Sequence, residues 1–336
     1  MGVNLRDKHI LFIAPKFFDY ENEIIKEFKR RGAMVYYVHE DIDTASLKEK
    51  IINKLPHQKQ IDIRQRYFIN KFKEVIPEDV EIDYVFGIRM DLLAEAALDY
   101  LRKTCTSAKF ICYFWDSAKN MRNAQLVASY FDRVWTFDKN DALQNQNWHF
   151  RPLFFIDAYG NWEEQQEYNI DILFIGSIMP ERASLFLWLR KFCDGNGLRL
   201  YTYFFCKNFV FFFNKLKQKV YRQIPNSVVH NRGLNKDELI GLMKDSRIVF
   251  DCSSPYQSGL TMRTIECFGA GKKMVTTNKT IVDYDFYNPQ NILLFNASKS
   301  NELMDFVKKD NYSRPNMSLY EYYSIRGWIN TIFEDL

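Results

Sequence analysis

The sequence predicts an α/β protein made of two doubly wound parallel sheets, each in its own domain. Three observations carry this expectation. Short apolar runs alternate with amphipathic helical stretches. The alternation pauses at a polar stretch, Asp157 to Tyr168 (DAYGNWEEQQEY), which reads as a linker, and then restarts. The chain has 336 residues, enough for two domains of ordinary size.

In the first half, Ile10 to Ala14 reads as a strand. A helix follows from about Glu21 to Arg31, with Ile24, Ile25 and Phe28 on one face and Gly32 as its stop. Met34 to Val38 completes a βαβ unit. No Gly-x-Gly-x-x-Gly follows the first strand, which argues against a dinucleotide-dependent oxidoreductase. Asp41-x-Asp43 resembles a metal-binding acidic pair, but an acidic loop is the plainer reading. Ser46 to Glu74 is basic and amphipathic, broken near Pro56; it is either a solvated helix face or a surface for anionic lipid. Asp83 to Gly87 and Lys109 to Trp115 are strands, with a helix from about Leu92 to Thr104 between them. Val134 to Phe137 is another strand, and Phe150 to Phe154 closes the first half.

Carboxyl ends of strands face the ligand crevice in open α/β sheets. Asp116, at the end of one strand, is therefore either a general base or the cap of a helix starting near Ala118. Asp19, after the first strand, is the second candidate base, and His149 a weaker third.

The second half begins with a strand, Ile170 to Ile175, that turns at Gly176-Ser177 into a helix containing Arg182. Leu198 to Cys206 is the next strand, with Lys207 at its carboxyl end. Phe209 to Arg222 (FVFFFNKLKQKVYR) is either an interfacial anchor or a buried helix start with a snorkelling basic end. Val228 to Asn231 is a strand, Lys236 to Met243 a helix, and Ile292 to Phe295 a late strand. The tail from Ser318 to Leu336 reads as one helix.

The most informative stretch is Asp251 to Asn278. A buried strand ends at Phe250, a loop with Pro255 and Gly259 follows, and a helix runs from Leu260 to Phe268. Gly269-Ala270-Gly271 stops it before a strand from Lys273 to Thr277. A loop feeding a helix N-terminus suits a phosphate. Arg263 can grip a diphosphate or be structural, and Glu266 can accept from ribose hydroxyls or be a helix-face residue.

This stretch, GLTMRTIECFGAGKKMVTTN, resembles the donor-nucleotide segment of GT-B glycosyltransferases, most closely those of bacterial capsular polysaccharide and lipopolysaccharide biosynthesis. Glu266, Gly269, Gly271 and Lys272 match the family pattern, while Lys273 replaces the usual Pro. Many retaining members carry a second Glu eight residues before the first; here that position is Ser258. The resemblance implies a cleft between two Rossmann-like domains, at residues 1–158 for the acceptor and 159–317 for the donor, and a C-terminal crossover helix, 318–336, packed on the first domain. It places Gly176, Ser177, Arg182, Lys207, Arg232, Gly259, Leu260, Thr261, Arg263, Thr264 and Glu266 around the donor nucleotide, with Asp116 or Asp19 as base. It implies a metal-independent transferase without cofactor, using a nucleotide sugar and a glycan or lipid-linked glycan acceptor. The expected place is the cytoplasm, at the inner face of the plasma membrane. Rival readings are a nucleotide-sugar epimerase of the same fold and a non-catalytic binding protein.

Composition agrees with a globular chain: 47% hydrophobic and 26% charged. A net charge of +4 does not demand nucleic acid. The six cysteines form no metal-ligand or CxxC spacing and are expected as buried thiols in a reducing compartment. The N-terminal run is too short and wrongly flanked for a signal peptide, and no apolar stretch reaches the roughly 18 residues of a membrane helix.

Overall fold

The structure is a computed structural model that describes residues 2–40, 51–52, 54–160, 162–163, 167–253, 259–309 and 311–334. Asp41, Asp43 and Ser258 lie outside the described residues. The chain forms two compact units: Met1–Leu153 with Ile325–Leu336, and Phe154–Ser324.

In the first unit the strands are β1 (His9–Ala14), β2 (Met34–His39), β3 (Tyr84–Ile88), β4 (Lys109–Phe114), β5 (Arg133–Thr136) and β6 (Trp148–Phe150). They pair in parallel, in the order β2-β1-β3-β4-β5-β6. The apolar runs bury as expected, with Ile10 to Ala14 fully inaccessible. Helix Tyr20–Arg30 lays Ile24 and Phe28 inward and ends at Gly32, whose φ of 86° suits glycine. Helix His57–Val75 starts right after Pro56 and buries Phe68 and Phe72. β6 was not anticipated: at three residues it is too short to show a period, and it is held by its ladder to β5.

The second unit contains β7 (Ile170–Ser177), β8 (Leu200–Phe205), β9 (Val229–His230), β10 (Ser246–Asp251), β11 (Lys273–Thr276) and β12 (Ile292–Leu294). All are parallel, in the order β12-β11-β10-β7-β8-β9. Strand order reverses between β7 and β10, and in the first unit between β1 and β3. These are the topological switch points where α/β sheets bind ligands, beyond the strands' carboxyl ends.

Two sequence expectations need correction. The tail is two helices, Met317–Tyr323 in the second unit and Ile325–Ile332 in the first. Ser324 between them is extended and forms a parallel bridge with Phe155, which interrupts helical hydrogen bonding. The polar stretch after Asp157 is not a bare linker, because it contains Tyr159, only 1% exposed. Helix Ser300–Lys308, which buries Leu303, Phe306 and Val307, was not anticipated.

The Ile325–Ile332 helix completes the first unit's core. Trp328 is fully buried and meets the Tyr113 ring edge-on at 4.9 Å.

Candidate functional site

At the β7/β10 switch point the chain brings together several of the expected donor residues. Gly176 and Ser177 are the last two residues of β7. Arg182 reaches back from the first turn of helix Pro180–Asn196. Its Nε and Nη2 donate to the Cys252 carbonyl at 3.0 and 2.7 Å, and its Nη1 donates to the Ser177 carbonyl at 2.9 Å. The guanidinium thus ties the end of β7 to the residue after β10. A Cβ at position 176 would lie 2.7 Å from Nη1, so glycine is what lets the guanidinium approach. These contacts engage three of the five guanidinium N–H groups.

Helix Met262–Ala270 begins at the same edge. Its cap is Thr261, whose Oγ1 accepts from the Thr264 amide at 3.2 Å. The same hydroxyl donates to Asp251 Oδ2 at 2.9 Å, and the Thr264 hydroxyl points to that oxygen at 3.4 Å. Asp251 is 5% exposed, and burial pushes its carboxyl above the usual range, against the hydroxyl of Thr261 and the charges of Arg182 and Arg263. Asp251 was missed as a site residue; its signal was a lone carboxylate ending the apolar run Ile248 to Phe250. Gly259 and Leu260 are buried beside this cap, and the Gly259 carbonyl accepts from Asn278 Nδ2 at 3.3 Å.

Arg263 and Glu266 form a pair one turn along the helix, Nη1 donating to Oε2 at 2.6 Å. Glu266 is only 3% exposed. Burial opposes the charge on Arg263, but the Glu266 carboxylate beside it holds its pKa well above the ordinary value. Tyr159 lies against this pair, and burial, reinforced by the Glu266 charge, raises its phenol. No sequence signal marks Tyr159, which lies in a polar run.

The remaining donor candidates stand at neighbouring strand ends. Lys207 is exposed at the cap of helix Asn208–Lys217, just past β8. Arg232, past β9, is engaged in a bidentate pair with Glu238 at 2.5 and 2.7 Å. That hydrogen bond, helped by the Asn235 amide, brings the Glu238 carboxyl down to about 2. Lys272, which matches the motif, lies at the opposite edge. Its Nζ donates to the carbonyls of Lys244 and Ser246, closing helix Lys236–Lys244, and burial lowers its pKa to about 8.

In the first unit, Asp19 occupies the cap position of helix Tyr20–Arg30 at φ 71° and accepts from Asn22 Nδ2 at 2.7 Å. Asp116 is half-buried past β4, with Asn120 Nδ2 3.4 Å from its Oδ1. Asp116 is not a cap: the Ala118 amide donates instead to Asp141 Oδ2 at 2.7 Å. His149 is exposed on β6, its ring tilted against that of Trp135 with centroids 5.1 Å apart. Phe18, Asp19, Arg89 and Met90 all have positive φ, between 49° and 71°, at the ends of β1 and β3. Such clustering of left-handed non-glycine residues is typical of functional edges. A cavity of about 1190 Å³ lies in the same unit, lined in part by Arg64, Arg66, Asp91, Asn120 and Arg122. Among the described residues, no cluster of His, Cys, Asp and Glu is arranged to hold a metal ion.

No protein-family model matches this chain, and no curated protein matches it. Solved structures do. A UDP-forming α,α-trehalose-phosphate synthase from Burkholderia xenovorans superposes with a TM-score of 0.58 at 10% identity, over 98% of both chains. A UDP-GlcNAc 2-epimerase from Methanocaldococcus jannaschii gives 0.56 at 11%, over 96% of this chain and 98% of that one. A glycosyltransferase from Rickettsia africae gives 0.55 at 14%, over 98% and 100%. At these identities the likeness is one of fold. The chain has the GT-B fold, with two Rossmann-like units of parallel sheet.

Proposed function

We propose that this protein is a glycosyltransferase that moves a sugar from a nucleotide-diphosphate donor to a surface-glycan acceptor, without a metal. The observation that carries the reading is the β7/β10 switch point, where a glycine strand end, the Thr261-capped helix and Arg182 converge. Departure of a nucleoside diphosphate is the costly step in such a transfer. Arg182, fixed by its carbonyl bonds, the amides at the start of helix Met262–Ala270, and Lys207 would stabilise that leaving group. Arg263 stands in the first turn of that helix and Glu266 one turn on from it, and ribose would compete with Arg263 for the Glu266 carboxylate. Asp116 would act as the base toward the acceptor hydroxyl, which makes the transfer inverting. The acceptor we favour is a lipid-linked precursor of capsule or lipopolysaccharide, met at the inner face of the plasma membrane.

The test is a thermal-shift panel of UDP, GDP, CMP and dTDP on the wild type and on Glu266→Ala. One nucleoside diphosphate should stabilise the wild type, by about 2.7 kcal/mol at ~100 times Kd, and Glu266→Ala should lose that shift. A shift that survives the substitution would move the site away from this helix.

A second reading, an epimerase acting on a nucleotide sugar, is favoured by the likeness to the UDP-GlcNAc 2-epimerase. Turnover of the nucleotide sugar with no acceptor present would select it.

A further inference from the structure

We infer that helix Asn208–Lys217, with the turn of helix Lys219–Arg222 that follows, is a surface that lies flat on an anionic lipid bilayer. Helices of folded domains usually turn their apolar stripe inward. This one does the reverse. Phe209, Phe212, Phe213 and Leu216 follow the i, i+3, i+4, i+7 spacing of a single helix face, and they are 64, 60, 54 and 58% exposed. The inward contact is left to Phe211, 7% exposed and edge-on to the buried Tyr221 at 6.2 Å. Of the two sequence readings of this segment, the buried helix start is therefore overturned.

The helix is held in place independently of its outer face. Arg222 Nε and Nη2 donate to the carbonyls of Lys215 and Leu216 at 2.8 and 2.9 Å, and Lys215 Nζ donates to Asn226 Oδ1 at 2.7 Å. The stripe is thus presented on a fixed element. At ten residues the helix spans about 15 Å, too short to cross a bilayer but suited to lying in its interface.

Charge identifies what covers the stripe. From Gly195 to Lys236 the sequence contains no Asp or Glu, while eight Lys and Arg fall in the same interval. Lys207, Lys217, Lys219 and Arg222 are exposed around the stripe. A second copy of this chain would meet the face with an identical one, apposing cations with cations. An anionic headgroup layer satisfies both features, the aromatic side chains entering the acyl boundary while the lysines stay at the phosphates. The inference deepens the proposed function, on which it rests for the lipid's role as carrier of the acceptor; the surface itself belongs wholly to the second unit.

The test is flotation of the full chain with vesicles of phosphatidylcholine alone and of equimolar phosphatidylcholine and phosphatidylglycerol. The wild type should float with the mixed vesicles at least about tenfold better than with phosphatidylcholine alone. The triple variant Phe209→Ser, Phe212→Ser, Phe213→Ser should lose flotation with its melting temperature unchanged, since all three rings are exposed. The variant Lys217→Glu, Lys219→Glu should lose the preference for phosphatidylglycerol. A wild type that floats with neither vesicle, or a triple variant that floats as the wild type does, overturns the inference. So does a wild-type dimer in sedimentation that the triple variant abolishes, which would give the stripe to a second copy. Loss of the nucleotide shift with flotation intact would sink the donor-site reading and leave this one standing.

Discussion

The carboxyl edges of the two sheets are built on opposite plans. The second unit's edge is fastened: Arg182 bridges the ends of β7 and β10, Asp251 is locked by Thr261, and Arg263 is paired with Glu266. The first unit's edge is open and strained. Phe17 and Phe18 are 38 and 53% exposed there, and Phe18, Asp19, Arg89 and Met90 hold left-handed backbone. The difference teaches what each edge is suited to hold. A preorganised cationic edge fits a ligand part of constant shape, such as a diphosphate. A strained edge with exposed rings fits a partner whose contacts stabilise it only on arrival.

The largest expected effect tests the fastening. Arg182→Met would leave the Ser177 and buried Cys252 carbonyls without their donor, and should cost about 2 to 4 kcal/mol in urea unfolding. A cost below about 1 kcal/mol would mean that the edge holds without its bridge, and the contrast between the units would collapse.

Next comes Lys272, the second unit's fastened cation at the opposite edge. Its folded pKa of about 8 lies below its ordinary value of 10.5. Between these values the unfolded chain keeps the proton and the folded chain has lost it, so stability from this group rises with pH through that window. The penalty is fully present below pH 8 and amounts to at most about 3 kcal/mol. Unfolding midpoints of the wild type should therefore gain on Lys272→Met between about pH 7.5 and pH 10. Parallel pH profiles would show that its carbonyl partners fully offset burial.

A smaller effect of opposite sign probes the strained edge. Phe18→Gly should raise stability by about 1 kcal/mol, because glycine adopts φ 49° without the steric cost. A loss would mean that the Phe17–Phe18 ring contact at 4.9 Å outweighs the strain. The smallest stability effect belongs to Asp116→Asn, within about 0.5 kcal/mol, because the bond its carboxylate accepts from Asn120 is long, at 3.4 Å. Turnover should nonetheless fall about 100-fold or more, measured as nucleoside diphosphate released in the presence of acceptor.

The sheets were legible in the sequence because most of their strands are apolar runs whose signal is local. β6 was harder, being three residues long and defined by its ladder to β5. The candidate site was legible where backbone chemistry demanded particular residues. Gly269 is required because a Cβ there would sit 2.4 Å from the Phe155 ring, and Gly271 because its φ is 64°. Half of the donor-like motif is thus explained by packing and backbone conformation, and Lys272 by helix closure. What could not be read was partnership across long sequence separations. Tyr159 meets Arg263 and Glu266 from a polar run, and Asp141, rather than Asp116, holds the Ala118 amide. Each of these depends on the topology, which no local window contains.

The return of the chain to the first unit has a consequence for biosynthesis. Trp328 and Phe333 supply the layer against which Phe86 and Phe28 pack, yet they are translated after the whole of the second unit. A ribosome would therefore finish the second unit while the first still shows water its unsealed aromatic face. Nascent chains should be open to chaperones until the final helix emerges, and products of late premature termination should be cleared by proteolysis instead of accumulating with half their function.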